Sequence, residues 1–439
     1  MEGKAEGIAE AERLLAAGDF PGVMRFLRVE GDSLPLAAVA RLVAGVGQAA
    51  GATDLALAAE AVGGGEDGSC PEHFPALFRY GYACVEYEAP FLAIRPLEQA
   101  LEMMPGALPV MGELVSALEF DGRHAQAVEV LEAHEGILEW EQRLYYVYNA
   151  VMAGSLDKAA AGFARLPETA DPRWAPAREK VRRMLARAAA VRGHSPLDMR
   201  DVRGWHYVLT GGIVAELSPY GLDDGMNGRW CFVNDSLWTC AGALARLQLV
   251  LTAARVEPEV VAVLPDRASR IIGTAAGSVL GLPVTDFAAS RPGAGALVVA
   301  YDLGATDPAA ATALRRRVPG QVLFERATCW TDPPGVTADV CGLLGQVVVP
   351  PWEPQLGLRE DGTSGYGPAD DRKAEEIAAE IAAAGFEPDG RAPGDSDDEL
   401  RVFAGKVADP GIRETDGGWL GGIRENIRNS GPVPSHRFS

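Results

Sequence analysis

The chain has 439 residues, with 61 acidic and 40 basic side chains and a formal net charge of −21. It is too long for one ordinary hydrophobic core, and its charge excludes a general nucleic-acid-binding protein. No apolar window approaches the roughly 18 residues of a membrane span, and the N-terminus lacks a signal-peptide pattern. We therefore expect a cytoplasmic protein with neither a nucleic acid nor a membrane as its partner.

Residues 1–190 predict an all-α domain. Alanine-rich segments with apolar residues three and four positions apart alternate with short turns that contain Gly, Pro or Asp. The segment Phe120-Asp121-Gly122, with Ala127 after it, recurs as Ala153-Gly154 with Ala159, an offset of 32 residues. Gly18 lies 104 residues before Gly122, which corresponds to three further repeats of about that length.

A helix–turn–helix unit repeating near 34 residues, with Gly ending the first helix and a small Ala where helices pack closely, resembles the tetratricopeptide repeat family. The resemblance covers about residues 8–190. It implies a helical solenoid whose groove binds a protein or a peptide. A generic helical bundle is the alternative interpretation.

Two aromatic clusters are candidates for lining such a groove. The positions that we single out are Tyr80 and Tyr87 in the first cluster and Tyr145 and Tyr148 in the second. Aromatic residues at helical spacing also form interhelical cores, which is the competing interpretation. The basic run 178–183, with Arg187 after it, predicts the solvated face of the final helix and, secondarily, an anion-binding patch.

Residues 191–355 predict an α/β domain with a mostly parallel sheet. Apolar runs such as 260–264 and 296–300 suit strands that are buried on both faces, and segments of helical length lie between them. A strand is predicted at 207–209 and a helix at 336–345. Ligands of such domains bind beyond the carboxyl ends of the strands, where three loops supply candidate anion-binding residues: Asp266, Arg267, Ser269, Arg270, Asp302, Gly304, Thr306 and Arg326.

The order of these elements over about 207–350, with an apolar strand ending in an acid and Gly-x-Thr, resembles the phosphoribosyltransferase family. The resemblance implies that Asp302 binds ribose hydroxyls and that Gly304 and Thr306 end a phosphate cradle, with Mg²⁺ as a cofactor only if the domain is a transferase. The sequence departs from the family pattern: one acid stands where two are usual, the first Thr of the cradle is missing, and the first loop has no Gly. We therefore expect a degenerate, non-catalytic relative, with an unrelated Rossmann-like sheet as the alternative.

A glycine-rich loop lies between about residues 210 and 230. It contains Asp223, Asp224, Asn227 and Arg229, and we consider it either a lid over an active site or a long hairpin that docks the sheet on the helical solenoid. The last segment, 356–439, predicts a loop-rich tail with one helix near 372–384. The six cysteines form no C-x-x-C pair and no spacing with His, so we expect neither a metal site nor a bound cofactor.

Two hypotheses for the function follow. The first is an accessory or scaffold protein that binds a protein or peptide through its helical repeats. The second is an enzyme or binding protein for a nucleotide-like or phosphorylated small molecule at the strand ends, and a transferase if it is catalytic. The middle segment 191–355 carries 16 acidic and 13 basic residues, so its near-neutral charge is compatible with one small phosphate.

Overall fold

Alanine-rich amphipathic segments form the helices of the first compact unit, Met1–Ala170, and the second unit is Asp171–Ser439. The structure is a computed structural model that describes residues 2–64, 73–169, 171–219, 227–288, 293–358, 362–385, 394–409, 418–427 and 431–434. The division falls before the predicted boundary at residue 190. The predicted tail from residue 356 is part of the second unit.

The described part of the first unit is built from helices that each pack against the next along the chain. Helix α5 also packs on α7, and α7 packs on α9. The helices are α1 (Glu2–Ala16), α2 (Phe20–Glu30), α3 (Leu36–Ala50), α4 (Thr53–Gly63), α5 (His73–Glu86), α6 (Pro90–Met103), α7 (Leu108–Phe120), α8 (His124–Ala133), α9 (Trp140–Met152) and α10 (Leu156–Arg165).

The same turn closes five helical hairpins in this unit. In each turn one residue has a left-handed backbone, with φ values of 75° at Gly18, 73° at Gly51, 57° at Glu88, 74° at Gly122 and 77° at Gly154. The amide after each of these residues donates to the carbonyl five positions before it, as from Asp19 to Leu14 and from Ser155 to Ala150. These bonds satisfy carbonyls at the end of the first helix. The turns are 32 to 37 residues apart, which is the periodicity predicted from Gly18, Gly122 and Gly154.

The second unit contains a parallel sheet in the strand order β4-β3-β5-β6-β7, with β1 and β2 both paired to the outer edge of β7. Every described pairing in this sheet is parallel. Its strands are β1 (Ile213–Val214), β2 (Trp230–Asn234), β3 (Val260–Val263), β4 (Val284–Asp286), β5 (Ala296–Ala300), β6 (Val322–Cys329) and β7 (Val340–Val349). A separate antiparallel pair follows, β8 (Leu356–Leu358) with β9 (Ser364–Tyr366).

Two predicted elements of this unit are wrong. The strand expected at 207–209 lies inside helix α12 (Val202–Thr210), and the helix expected at 336–345 is largely strand β7. A short apolar run has no periodicity that distinguishes a buried strand from a buried helix. In the fold, pairing with β6 on one side and β1 and β2 on the other makes β7 a central strand.

Helices cover this sheet, and two of them come from the predicted tail. The helices of the unit are α11 (Ala175–Val191), α12, α13 (Leu237–Ala253), α14 (Arg267–Leu280), α15 (Pro308–Arg315), α16 (Ala374–Ala383) and α17 (Asp397–Val407). Helix α16 packs on α14, and α17 packs on α13. The helix predicted near 372–384 is therefore present as α16, and it belongs to the α/β layer.

Buried ion pairs fix the tail to the sheet. Arg424, fully buried, donates through Nη2 to Asp339 Oδ2 at 2.7 Å and through Nη1 to the carbonyl of Leu314 at 2.9 Å. Arg317 also pairs with Asp339. Although burial alone would raise the pKa of Asp339, the charges of Arg317 and Arg424 hold it below its usual value. The carboxylate therefore stays ionised inside the unit.

Replacing Glu88 by Gly tests the repeated turn. A left-handed backbone costs a residue other than Gly about 1 kcal/mol. We therefore expect Glu88→Gly to raise the free energy of unfolding by a few tenths up to about 1 kcal/mol, since the added flexibility of the unfolded chain offsets part of the gain. The matched change Gly122→Ala should lower it by about 1 kcal/mol. Urea denaturation measures both, and a loss of stability in Glu88→Gly would contradict the assignment.

Replacing Arg424 by Met tests the tail attachment. The change leaves Asp339 with one cation and frees two carbonyls, so we expect the second unit to lose about 3–5 kcal/mol. The exposed pair of Arg401 with Asp398 provides the control, because Arg401→Met should cost less than about 1 kcal/mol. The difference from wild type should shrink as the pH falls below about 3.8, where Asp339 gains a proton in the unfolded chain and its pairing stabilises less.

Candidate functional site

The sheet changes direction between β3 and β5. From β3 the chain crosses through α14 to β4 on one side, and from β5 it crosses through α15 to β6 on the other. Such a switch point leaves a crevice at the carboxyl ends of the two strands, where α/β proteins bind ligands. The loops predicted from sequence, at Asp266 and at Asp302, both begin there.

Both acids of the crevice cap the turns that follow them. Asp266 Oδ1 accepts from the amide of Ser269 at 2.8 Å, and Asp302 Oδ1 accepts from the amide of Gly304 at 2.7 Å. Burial raises the pKa of Asp302, and the nearby charge of Asp266 adds to the effect. The hydroxyl oxygen of Thr306 is buried without a hydrogen-bond partner. The two predicted loops are thus brought together, with their acids in structural roles.

The predicted anion-binding residues of the first loop contact the chain itself. Arg267 Nη2 donates to the carbonyls of Asp370 at 2.7 Å and Arg372 at 3.0 Å. Arg270 forms an ion pair with Asp286 at 3.0 Å. The fully buried Ser269 accepts a hydrogen bond at Oγ from the amide of Tyr301, so it joins α14 to the end of β5.

Trp352 and residues 370–372 contact this edge of the sheet. Trp352 is buried and meets the ring of Tyr301 edge to face, with 5.2 Å between centroids. The amide of Asp370 donates to the carbonyl of Trp352 at 3.0 Å. Tyr301 directly follows β5, so it lies where a ligand at the carboxyl end of this strand would bind. Its ring contact with Trp352 and the two hydrogen bonds from Arg267 to backbone carbonyls therefore fill this position.

Arg326 was a predicted ligand-binding residue, and that prediction is wrong because the residue is fully buried. Its Nη2 donates to Asp235 Oδ1 at 2.7 Å, and its Nη1 lies 3.7 Å from Glu216 Oε2. Asp235 also accepts from the hydroxyls of Tyr301 at 2.7 Å and Thr239 at 2.6 Å. Burial would raise the pKa of Asp235, but the Arg326 charge and these hydrogen bonds lower it. This network ties β2, β5, β6 and α13 together.

Glu325 is a second buried acid that the sequence analysis missed. Its Oε1 accepts from the amide of Leu303 at 2.6 Å, and its Oε2 accepts from the hydroxyl of Thr328. Burial raises the pKa of Glu325 to about 8. The strand pattern shows only that Glu325 lies in a buried strand. Its partner, the amide of Leu303, belongs to a loop twenty-two residues away, so the local sequence does not reveal the hydrogen bond.

The crevice does not fit the Mg²⁺ ion that the phosphoribosyltransferase resemblance implies. Among the described residues, no three His, Cys, Asp or Glu side chains are grouped so that they would hold a metal ion. Asp302 is already committed to the Gly304 amide. We derive no chemical step through a metal here.

The predicted lid loop lies partly outside the described residues, which include neither Asp223 nor Asp224. Asn227 and Arg229 are buried. Asn227 Nδ2 lies 3.4 Å from the carbonyl of Pro434, and Arg229 Nη1 donates to the carbonyl of Val433 at 3.3 Å. These two residues therefore hold the end of the chain, and their burial contradicts a role as exposed lid residues.

The predicted groove residues of the first unit separate into two groups. Tyr80 is fully buried in the helical core, so its assignment to a groove is wrong. Tyr87, just after α5, is 45% exposed, and Tyr82 on α5 is 44% exposed. Tyr145 and Tyr148 on α9 are half-buried.

Acidic residues lie near Tyr87 and Tyr145. Glu86 ends α5 and directly precedes Tyr87, Glu113 and Glu119 lie on α7, and Glu141 is in the first turn of α9. Burial raises the pKa of Glu113, and the charge of Glu86 raises it further. Burial raises the pKa of Tyr145, and the charges of Glu141, Glu119 and Glu113 add to the shift. We call these residues, with Tyr82, Tyr87 and Tyr148, the acidic face.

A buried polar network supports one end of the acidic face. The Nδ1 atom of His124 lies 2.7 Å from Asn149 Oδ1, and Asn149 Nδ2 donates to Glu119 Oε1 at 2.5 Å. Burial raises the pKa of Glu119 to about 7, with the Asn149 bond opposing the shift. The network links α7, α8 and α9, so Glu119 has a structural role while Glu86 and Glu113 are free of it.

No protein-family model matches the chain, and no curated protein matches it. Solved structures titled MamA AMB-1 and MamA RS-1 ArsTM double mutant each cover 37% of the chain, with 18% and 19% sequence identity. The alignments cover 95% and 92% of those chains, and the TM-score is 0.23 for both. At that score the similarity supports no conclusion about fold or function. Among the described helices, none is long and apolar enough to cross a membrane.

Replacing Glu325 by Gln tests the buried acid. A carboxyl group whose pKa is raised by folding favours the native state at low pH, and that contribution is lost as the pH rises from about 4.5 towards 8. We expect wild type to lose stability relative to Glu325→Gln over this range, by up to about 1.4 kcal/mol for each pH unit. Urea denaturation at pH 5, 6, 7 and 8 measures the difference, and parallel curves would show that Glu325 is ionised in the native protein.

Proposed function

We propose that this chain is a protein-binding accessory protein whose helical unit recognises a basic peptide segment. The acidic face carries the proposal, because Glu113 and Glu119 of α7, whose pKa values burial raises, interact with the half-buried Tyr145 of α9. Glu86 also lies next to the exposed Tyr87. Lys and Arg side chains would relieve the repulsion among these acids, and tyrosine rings attract cations through their faces.

The charge of the whole unit supports the same partner. Residues 1–170 contain 26 acidic and 11 basic side chains, a net charge of −15. A field of one sign attracts an oppositely charged partner and speeds its association. A basic peptide is thus favoured over an acidic or purely apolar one.

We also propose that the five hairpins are degenerate tetratricopeptide-like repeats. The equal turns at Gly18, Gly51, Glu88, Gly122 and Gly154 support this interpretation, as do the additional contacts of α5 with α7 and of α7 with α9. Alternate helices that pack side by side form a continuous surface, and repeat proteins bind extended segments on such surfaces.

A nucleotide-like or phosphorylated ligand at the switch point, as in a transferase of phosphoribosyltransferase type, is the alternative. Its support is the position of Asp302 and Thr306 at the ends of the strands. Binding there requires Trp352 and residues 370–372 to move away, because Trp352 and the Arg267 contacts occupy the crevice. We therefore propose that the α/β unit is not catalytic.

Peptide binding provides the test. A fluorescein-labelled peptide of alternating Lys and Leu should bind the full chain and increase its anisotropy, whereas a peptide of alternating Glu and Leu should not. Changing Glu86 and Glu113 to Gln together should weaken binding about five- to tenfold, since two charge pairs are lost. Raising the salt from 50 to 500 mM should weaken it as well, because salt screens exposed charges.

A charge-matched control separates the acidic face from the general charge of the unit. Glu102 on α6 and Glu129 on α8 are exposed, and the double change of these residues to Gln alters the net charge by the same amount. Equal loss of affinity in both double variants would mean that only bulk charge attracts the peptide. Equal binding of the acidic and the basic peptide would overturn the proposal.

A further inference from the structure

A small cleft opens in the second unit between α11, the end of α12 and the segment 423–427. The side chains that line it are Lys180, Arg183, Arg187, Leu209, Ile423, Glu425 and Ile427. Three are cations and one is a carboxylate. This excess of positive charge stands out in a chain with a net charge of −21.

The three cations come from one face of α11. Positions 180, 183 and 187 are three and four residues apart, so their side chains project to the same side of the helix. The sequence analysis assigned this basic run to a solvated face, and that prediction is wrong for two of its members. Arg183 is 9% exposed and Arg187 is 4% exposed.

Arg187 is held in place without an ion pair to any described carboxylate. Its Nη1 donates to the carbonyl of Leu209 at 3.3 Å, and its Nε is buried with no hydrogen bond. The guanidinium lies against Gly211, whose φ is 82°, and a β-carbon there would stand 2.8 Å from Arg187 Cζ. Glycine thus permits the close approach that fixes the guanidinium at the cleft.

The neighbouring carboxylates already have cationic partners, including Glu179, which pairs with Arg182 at 2.7 Å and lies 4.0 Å from Arg183 Nε. Glu425 pairs with Lys180 at 3.1 Å and with Arg315 at 3.5 Å. Asp339 already neutralises two cations, Arg317 and Arg424. Burial lowers the pKa of Arg187 to about 10, and the charges of Arg317 and Arg183 contribute to the shift. Arg187 therefore remains protonated at neutral pH as a buried cation with too little negative charge around it.

A buried guanidinium without a counter-ion costs desolvation free energy. An oxyanion that accepts hydrogen bonds from the guanidinium and neutralises its charge offsets this cost. The apolar side chains of Leu209, Ile423 and Ile427 exclude water from one side and strengthen such a contact. We propose that this cleft binds a small oxyanion of phosphate type, either free phosphate or the phosphate group of a monoester, through Arg187, Arg183 and Lys180.

This site is distinct from the predicted one at the switch point. Gly211 lies two residues before β1, and Asp339 directly precedes β7, so the cleft lies towards the amino ends of the strands. The switch point lies at their carboxyl ends. The proposal does not depend on the peptide-binding function, since its residues all belong to the second unit.

Phosphate titration of the full chain tests the proposal. Inorganic phosphate, up to 20 mM, replaces chloride at pH 7.5 and constant ionic strength. We expect phosphate to raise the melting temperature, and we expect isothermal titration calorimetry to detect its binding. In Arg187→Met the affinity for phosphate should fall at least tenfold. The melting temperature of this variant without phosphate should equal or exceed that of wild type, because the substitution removes an unpaired buried charge.

Two further variants complete the experiment. Arg401→Met, which removes an exposed cation on α17, should keep the affinity of wild type. Lys180→Met retains the buried arginines and should weaken binding several-fold, so the proposal stays testable if Arg187→Met fails to fold. Adenosine monophosphate distinguishes a monoester from free phosphate, and acetate distinguishes a carboxylate from both.

The outcomes separate clearly. Phosphate binding that Arg187→Met or Lys180→Met weakens and Arg401→Met leaves unchanged supports the site. Absence of phosphate binding to wild type would overturn it. Equal affinity in wild type, Arg187→Met and Lys180→Met would also overturn it, as would tighter binding of acetate than of phosphate.

Discussion

The α/β unit depends on the requirement that a buried charge has a partner. Three fully buried aspartates meet it with arginines: Asp235 with Arg326, Asp339 with Arg317 and Arg424, and Asp395 with Arg203 and Arg246. Two of these sets join the sheet to residues beyond 390, so the last part of the chain cannot leave without exposing or orphaning a buried ion. A segment that is rich in Gly, Asp and Pro is thereby held as part of the fold.

Contacts between residues far apart in the sequence close the predicted ligand site. Strand ends and their loops were located correctly from apolar runs and turn residues, and Asp266 and Asp302 do lie at one switch point. Their roles depend on atoms far away in sequence: the partners of Arg267 are the carbonyls of Asp370 and Arg372, more than one hundred residues later. The local sequence cannot identify these partners, because every residue has a backbone carbonyl and the residue type does not show which carbonyl accepts a hydrogen bond. Residue identity therefore predicted that these two loops meet at the ends of the strands, and it did not predict the distant residues that contact them.

The helical unit was the more predictable half. Its turns need a left-handed residue, so Gly18, Gly122 and Gly154 mark them in the sequence, and the 32-residue offset follows directly. The turn at Glu88 has no such mark, although its backbone and its closing hydrogen bond are the same. Burial was harder to infer than helix position. Tyr80 and Tyr82 are two residues apart on α5, yet one is fully buried and the other 44% exposed, since two residues turn the helix by more than half a circle.

Charge is distributed unevenly between the units, and the two proposed ligands follow this difference. The first unit has a net charge of −15, and its acidic face concentrates carboxylates beside tyrosines, which favours a cationic partner. The second unit has 35 acidic and 29 basic side chains, so its net charge is only −6, and most of its buried aspartates are already neutralised by arginines. Among the described residues Arg187 forms no ion pair, and Glu425, which lines the same cleft, already serves Lys180 and Arg315. An acidic protein can therefore bind an anion at one site if the cations of that site are buried. Burial reduces the screening of these cations by salt and keeps the anion away from the acidic side chains of the surface.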